Sequence, residues 1–237
     1  MTKARIILAS SSPRRRLLLR QIGLSFEVVP SATDEEVENG YAPDTIVETL
    51  AMQKAQDVAE QLGHSDTMDG STADPTKPAL IIGADTIVVL DGGILGKPAD
   101  RNDAVEMLRT LSGRTHQVYT GVALILAGGN QRLDIAEPGA ASTRNYYTRH
   151  TFHERTDVTF GELNDKEIAA YVDTGSPMDK AGAYGIQDDL GALFVERIEG
   201  DYYNVVGFPL FRFYREVNKL MPGIVTPFEP ATGQRAM

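Results

Sequence analysis

The stretch LIIGADTIVVL, residues Leu80 to Leu90, decides the fold. It is a continuous apolar run rich in Ile and Val, too short to span a membrane and too β-branched to favour a helix, so it predicts a buried strand. Asp85 lies in its middle, flanked by Gly83 and Thr86. A carboxylate in such surroundings costs roughly several kcal/mol unless a positive charge compensates it. Asp85 is therefore either a structural ion-pair partner or a residue that holds a metal or moves a proton, and both interpretations stay open.

The composition narrows the class of protein. The chain has 237 residues, of which 42% are hydrophobic and 24% charged, which fits one ordinary soluble domain or two tightly joined lobes. It contains no cysteine, which excludes disulfides and thiolate zinc sites. The net charge of −10 argues against a nucleic-acid partner, and no segment is typical of a secretory leader or a membrane span. We expect a cytoplasmic protein with neither nucleic acid nor membrane as a partner.

Basic residues crowd the start of the first predicted helix. A short strand, Arg5 to Ala9, leads through the turn Ser10 to Pro13 into a helix that ends at Gly23. The three arginines at 14–16 occupy its first turn, where the helix dipole already disfavours positive charge. Because local rules are usually broken at functional sites, this pattern predicts an anion site, most simply for phosphate. A solvated basic face is the alternative.

Two lysines occupy positions that are unusual for a solvent-exposed surface residue. A capping box of Thr45 and Glu48 predicts a helix that ends at Gly63, with Lys54 on its inner stripe. A lysine there either extends past the core to water or meets an anion. Lys97 is held between glycine and proline, which is typical of a phosphate ligand and equally of a plain turn.

The other segments predict loops and strands and say less about function. The segments His64 to Pro78 and Gly128 to Arg155 are polar and aperiodic, so both are interpreted as inserted loops. His116 opens a predicted strand and is either a base or a structural residue. Further strands are predicted at Ala192 to Ile198 and near Val205.

Two carboxylates and five cations stand out by their positions. They are Glu35, Asp85, Arg14, Arg15, Lys54, Lys97 and Lys180. Carboxylates bind a hard divalent cation through oxygen, and cations neutralise phosphate oxygens and a leaving group. A carboxylate can also orient or deprotonate an attacking water. The set therefore predicts a site for a polyphosphate held together with a divalent metal.

The order of the motifs resembles one family, the Maf nucleotide pyrophosphatases. The matching pieces are ASSSPRRRLL from Ala9, Asp34-Glu35, Lys54, IIGADTIVV around Asp85, GKP at Lys97, LSGRTHQVYTGVAL from Leu111, MDKAGAYGIQ from Met178 and GDYYNVVGFPL from Gly200. They span about Arg5 to Leu220, and motifs of this length seldom recur by chance.

This resemblance implies hydrolysis of a nucleoside triphosphate between its α and β phosphates, with Mg²⁺ or Mn²⁺ as cofactor and a house-cleaning role against non-standard nucleotides. Asp85 corresponds to the proton acceptor, and Glu35 would help it hold the metal. The positions tied to base preference are Arg14, Thr86 and Gln187, and the GADT pattern with this glutamine is similar to enzymes that prefer dTTP and UTP. The phosphate contacts would be Ser10, Arg15, Lys54, Lys97 and Lys180, although Lys180 could instead pair with Asp179.

The expected fold is α/β: an elongated, twisted mixed sheet flanked by helices, and the resemblance adds two lobes with a central cleft, as in Maf and ITPase proteins. Residues 1–220 form the predicted domain and residues 221–237 a flexible tail. A homodimer is a further expectation. The alternatives are a non-enzymatic nucleotide-binding regulator of cell division or septum formation, and a phosphotransferase, which the missing P-loop disfavours.

Overall fold

A computed structural model describes residues 4–33, 40–65, 79–127, 147–188 and 190–225. Within these ranges the strands are β1 (Arg5–Leu8), β2 (Glu27–Val28), β3 (Ala79–Leu90), β4 (Gly93–Leu95), β5 (Thr115–Ala127), β6 (Tyr147–Phe160) and β7 (Val195–Glu199). The α-helices are α1 (Pro13–Gln21), α2 (Pro43–Ser65), α3 (Arg101–Leu111), α4 (Asp165–Asp173), α5 (Tyr202–Val206) and α6 (Leu210–Leu220). Three short 3₁₀ helices cover Ser176–Asp179, Ala181–Ala183 and Gly191–Leu193.

The strands form one mixed sheet with β3 at its centre. Its order is β2-β1-β3-β5-β6-β7, and β4 folds back onto β3 through a tight hairpin. The pairs of β1 with β2 and with β3 are parallel, whereas the long pairs of β5 with β3 and with β6 are antiparallel. The predicted buried strand is thus the middle of the sheet, and the predicted α/β class with a mixed sheet flanked by helices is confirmed.

The two faces of the sheet carry different layers of helices. Because strand side chains alternate, one face of β3 presents Ile81, Ile87 and Val89 to apolar residues of α2. The other face presents residues such as Ile82 and Val88 to the larger core formed with α1, α3, α4, α5 and α6. Asp85 therefore belongs to the face that α2 covers, and its neighbour Thr86 belongs to the opposite face.

Two glycines let α2 lie directly on the sheet. A Cβ atom added at Gly83 would stand 2.1 Å from the carbonyl oxygen of Ala51, and one at Gly121 would stand 2.3 Å from the carbonyl of Val47. Real side chains do not approach a backbone that closely, so both positions require glycine. This close packing brings the inner stripe of α2, including Lys54, onto the strand that carries Asp85.

The predicted starts of two helices are confirmed. The Ser12 side chain accepts a hydrogen bond from the Arg15 amide at the start of α1, and Pro13 is its first residue. Asp100 caps α3 in the same way through the amides of Asn102 and Asp103. These local signals depend only on neighbouring residues, which is why the sequence suffices to find them.

The predicted start and end of α2 are wrong. The helix begins at Pro43, before the proposed capping box, and continues through Gly63 to Ser65. Glu48 does not cap it, because its carboxylate accepts hydrogen bonds from the side chains of Thr151 and His153 on β6. Residues 64 and 65 of the predicted first insertion are therefore helical, and residues 66–78 lie outside the described ranges.

Part of the second predicted insertion is also wrong. From Tyr147 onward the chain is strand β6, which pairs with β5 from Tyr147 to Thr159. Residues 128–146 lie outside the described ranges. Two smaller errors concern the last strands: Gly191–Leu193 is a 3₁₀ helix, and the region near Val205 is helix α5.

The described part of the chain ends at Val225, which is buried against the main core. Residues 226–237 of the predicted tail lie outside it, so the division at residue 220 stays a prediction. None of the helices within the described ranges is long and apolar enough to cross a bilayer.

Candidate active site

A cleft of about 900 Å³ opens beside the β1–α1 turn and reaches across β3 to the loops after β4 and α4. This volume suits a small-molecule ligand. Nine of the ten predicted site residues line it: Ser10, Arg14, Arg15, Lys54, Asp85, Thr86, Lys97, Lys180 and Gln187. The tenth, Glu35, lies outside the described residues. Residues about 180 positions apart in the chain are thus brought to one cavity.

Asp85 and Lys54 form a buried ion pair at the wall of the cleft. Lys54 Nζ lies 2.5 Å from Asp85 Oδ1, and Asp85 is only 7% exposed. The lysine thereby compensates the carboxylate in the apolar strand, and of its two predicted environments it occupies the one beside an anion. Asp85 Oδ2 has no hydrogen-bond partner among the described residues, which leaves that oxygen available to a ligand.

Arg15 is built into the opposite wall. Its guanidinium donates to the carbonyl oxygen of Gly207 at 3.0 Å, to Ser10 Oγ at 3.3 Å and to Thr86 Oγ1 at 3.0 Å. Arg15 is buried, so it is not part of a solvated basic face. A guanidinium held by three elements is oriented before any ligand arrives.

A chain of hydroxyl groups supports the Arg15 contact. Thr86 Oγ1 lies 2.9 Å from Thr120 Oγ1, and Thr120 Oγ1 donates to the Asn204 carbonyl oxygen at 3.1 Å. Since the Thr120 proton is used there, Thr86 donates to Thr120 and accepts from Arg15. Asn204, fully buried, anchors the chain by donating to Val118 and Thr156. Sequence reasoning missed this residue, although an asparagine inside the apolar run YYNVVGF was the available signal.

The other arginines of the first turn have different partners. Arg14 contacts Asp179 Oδ2 at 3.1 Å across the cleft. Arg16 does not line the cavity; it donates to the backbone carbonyls of Ser11 and Ser12 and so supports the turn. Only two of the three cations therefore face the cavity.

Lys180 is buried and lies beside two carboxylates, one half-buried and one exposed. Its Nζ is 2.7 Å from Asp179 Oδ1 and 3.2 Å from Asp188 Oδ2, and it also donates to the Ser176 carbonyl. The predicted internal pair with Asp179 is thus present, while Lys180 still lines the cleft. Burial raises the pKa of Asp179, but the hydrogen bond from Lys180 and the charge of Arg14 outweigh this effect, so its pKa lies below the ordinary value.

Lys97 and Gln187 are the exposed members of the set. Within the described residues Lys97 has no ion-pair partner, so its charge is available at the mouth of the cleft. Gln187 Nε2 donates to Asp188 Oδ1 at 3.1 Å. Sequence reasoning missed Asp188, because it lies just outside the motif MDKAGAYGIQ and its partners Tyr171 and Ser176 are more than ten residues away in the chain.

His116 is a structural residue. It is fully buried outside the cleft lining, with Nε2 2.8 Å from the Tyr184 hydroxyl and its ring edge-on to Phe160. Burial lowers the pKa of His116 to about 4, and the nearby charge of Asp157 offsets only part of this effect. The first of its two predicted roles, as a base, is not supported by this position.

The burial of His116 should make the stability of the folded protein sensitive to acid. The unfolded histidine takes up a proton near pH 6.5 and the folded one only near pH 4, so the unfolded state binds more protons between these values. The free energy of unfolding should fall by about 3 kcal/mol as the pH drops through this window. Denaturant titrations at several pH values should show the loss in the wild type and in His153→Gln, but not in His116→Gln; an equal loss in all three proteins would contradict it.

Metal-binding groups are sparse in the described ranges. They contain no cluster of three His, Asp or Glu side chains suited to an ion. Asp85 nevertheless lines the cleft with one carboxylate oxygen that has no partner among the described residues. Mg²⁺ commonly takes one or two carboxylates together with phosphate oxygens of its substrate. The residues present therefore fit an ion that is bound jointly with a polyphosphate.

The fold and the cleft define an α/β protein with arginines and lysines arranged around one buried carboxylate. The chain belongs to the Maf family: the family model described as Maf-like protein matches residues 5–220. A dTTP/UTP pyrophosphatase of Bacillus anthracis is 45% identical over 215 residues, which are 91% of this chain and 95% of that protein. One of Bacillus cytotoxicus is 44% identical over 219 residues, 92% and 97% of the two chains. The solved Staphylococcus aureus Ham1 protein matches at 14% identity, over 66% of this chain and 71% of that one, with a TM-score of 0.36, too weak to carry a conclusion.

Proposed function

We propose that the protein hydrolyses nucleoside triphosphates, dTTP and UTP with their modified pyrimidine relatives, to the monophosphate and pyrophosphate. The observation that carries this proposal is the buried Asp85–Lys54 pair facing a cleft whose other walls bear Arg14, Arg15 and Lys97. The names of the relatives supply the nucleotides, and the cations supply the means to hold a triphosphate. Clearing non-standard nucleotides is the corresponding cellular role.

Asp85 is the proposed proton acceptor. Asp85 lines the cleft and its Oδ2 has no partner among the described residues, so this oxygen can orient an attacking water and take up its proton. Lys54 holds the other oxygen at 2.5 Å and so fixes the direction of the carboxylate. The attack breaks the bond between the α and β phosphates, and pyrophosphate leaves with its charge neutralised by the surrounding cations.

A divalent cation, Mg²⁺ or Mn²⁺, is the proposed cofactor, with Asp85 and Glu35 as its protein ligands. When bound, it would neutralise charge on the triphosphate oxygens. The chain's own cations do the rest of the binding: Arg15, Lys54, Lys97 and Lys180 toward phosphates, with the Ser10 hydroxyl beside them. Arg14, Thr86 and Gln187 are proposed to face the nucleoside. The homodimer stays a prediction.

The decisive assay is a panel of natural and modified triphosphates, with pyrophosphate release measured in Mg²⁺ and in EDTA. We expect dTTP and UTP to be the best natural substrates and EDTA to stop release. Binding of nucleotide without any release, unchanged by EDTA, would instead support the non-enzymatic regulator.

Lys97 provides a separate prediction about substrate affinity. It is exposed at the cleft and has no ion-pair partner among the described residues, so its removal should not weaken the fold. Lys97→Ala should raise KM for dTTP by about 10- to 100-fold, the cost of one charge-assisted phosphate contact. Lys166→Ala removes another exposed lysine, which lies on α4 away from the cleft, and should leave KM unchanged. Equal KM values for the two variants would contradict the assignment.

A further inference from the structure

Asp188 holds the amide of Gln187 in one orientation. Gln187 Nε2 donates to Asp188 Oδ1 at 3.1 Å, and the Gln187 amide oxygen has no partner among the described residues. A carboxylate only accepts hydrogen bonds, so it can hold the NH₂ end of the amide and never the oxygen end. The remaining N–H and the oxygen form the edge that Gln187 can offer to a ligand in the cleft.

Asp188 is itself fixed by two hydrogen-bond donors and one ion pair on its other oxygen. Tyr171 Oη donates to Asp188 Oδ2 at 3.0 Å, Ser176 Oγ donates at 2.6 Å, and Lys180 Nζ lies at 3.2 Å. Burial, with the Asp188 charge adding to it, raises the pKa of Tyr171, so this hydroxyl stays a donor. The network leaves Oδ1 as the oxygen that faces Gln187.

Gly185 gives this network its space. A Cβ atom added there would stand 2.6 Å from Asp188 Oδ2 and 2.8 Å from Lys180 Cε. The Gly185 amide also donates to the Tyr171 hydroxyl at 3.0 Å, which leaves the hydroxyl proton for Asp188. Backbone and side chains thus combine to fix one carboxylate beside one amide.

The orientation of such an amide decides which pyrimidine it can read. Uracil and thymine present an acceptor at position 4 next to a donor at N3, whereas cytosine presents a donor at position 4 next to an acceptor at N3. An amide that pairs with the first edge pairs with the second only after a half-turn, which exchanges its oxygen and nitrogen. With the triphosphate fixed by cations, the base itself cannot turn over to compensate.

We infer that Asp188 is a specificity-determining positioning residue, which holds the Gln187 amide in the orientation that accepts uracil or thymine and rejects cytosine. This inference rests on the proposed function, since it requires Gln187 to face the base. Asp188 touches no substrate; it acts only by excluding the turned amide.

The test is Asp188→Asn. The two hydroxyl donors and the Lys180 ammonium on one side draw the new amide oxygen to the Oδ2 position, so its NH₂ group faces Gln187. The Gln187 amide must then turn its oxygen toward that group. The ratio of kcat/KM for UTP to that for CTP should fall by about 10-fold or more, the discrimination of one bidentate edge. Asp173→Asn is the matched control: Asp173 is an exposed carboxylate at the end of α4 that pairs with Arg101 and does not line the cleft, so the ratio should stay constant.

Two further measurements keep a failure interpretable. In the background of Gln187→Ala, adding Asp188→Asn should leave the ratio unchanged; an undiminished shift there would overturn the inference. Titration calorimetry gives the affinities of UMP and CMP for the wild type and for Asp188→Asn, and so measures the same base preference without turnover. A shifted binding ratio without hydrolysis would overturn the proposed function alone. Hydrolysis of UTP with the same UTP-to-CTP ratio in Asp188→Asn and the wild type would overturn the inference alone.

Discussion

Asp85→Asn should abolish pyrophosphate release from dTTP while the protein stays folded. The substitution removes the proposed proton acceptor and a proposed metal ligand at once, so we expect kcat to fall by at least about 1,000-fold. In the wild type Lys54 Nζ lies 2.5 Å from Asp85 Oδ1. The fold should persist because the asparagine oxygen can still accept this hydrogen bond from Lys54. Steady-state kinetics and a circular dichroism spectrum measure the two effects.

The control for this variant is Asp91→Asn. Asp91 lies in the exposed hairpin turn after β3, where it pairs with Arg114, and it does not line the cleft. This change removes a carboxylate of the same kind a few residues away, so its kcat should stay close to that of the wild type. Turnover by Asp85→Asn within about tenfold of the wild type would contradict the role of Asp85.

Gly121→Ala should destabilise the protein more than any surface substitution. The new Cβ would stand 2.3 Å from the carbonyl carbon and oxygen of Val47 and 2.7 Å from the Glu48 nitrogen, all of them backbone atoms that no side-chain rotation can move. Helix α2 must shift away from the sheet, at a cost of about 3 kcal/mol. For a chain of this size the melting temperature should drop by roughly 6–12 °C. Activity should fall too, since α2 carries Lys54.

Gly161→Ala is the matched control for Gly121→Ala. A Cβ atom added at Gly161 meets no atom within 4 Å, so the same methyl group should be tolerated. Differential scanning calorimetry of both variants decides the matter. Equal melting temperatures would show that α2 is free to adjust, and the close approach of helix and sheet would then not position Lys54.

Strand β3 and strand β6 show how far the fold can be predicted from the sequence. Strand β3 is apolar on both faces because helices cover both, so its composition alone identifies it. Strand β6 reads as a polar loop up to Arg155, yet its polar groups have partners on distant elements. His153 contacts Glu48 on α2, and His150 contacts Glu216 on α6. No local pattern contains such pairs.

The candidate site, like the fold, could be predicted from the sequence only in part. The arginines at the start of α1 could be predicted as unusual because they oppose the dipole of their own helix. That Lys54 compensates Asp85 could not, since the pair joins elements 31 residues apart and depends on glycines that admit α2 to the sheet. The role of Asp188 could not be predicted for a similar reason. It depends on contacts with Tyr171, Ser176 and Lys180, which only the folded chain places around it.

The most direct test of the proposed chemistry is a ³¹P NMR spectrum of the products formed from dTTP by the wild-type protein in Mg²⁺. Water directed at the bond between the α and β phosphates, with Asp85 as proton acceptor, should yield dTMP and pyrophosphate in equal amounts from the first turnover. Formation of dTDP with orthophosphate, or dTTP that remains intact at high enzyme concentration, would contradict it.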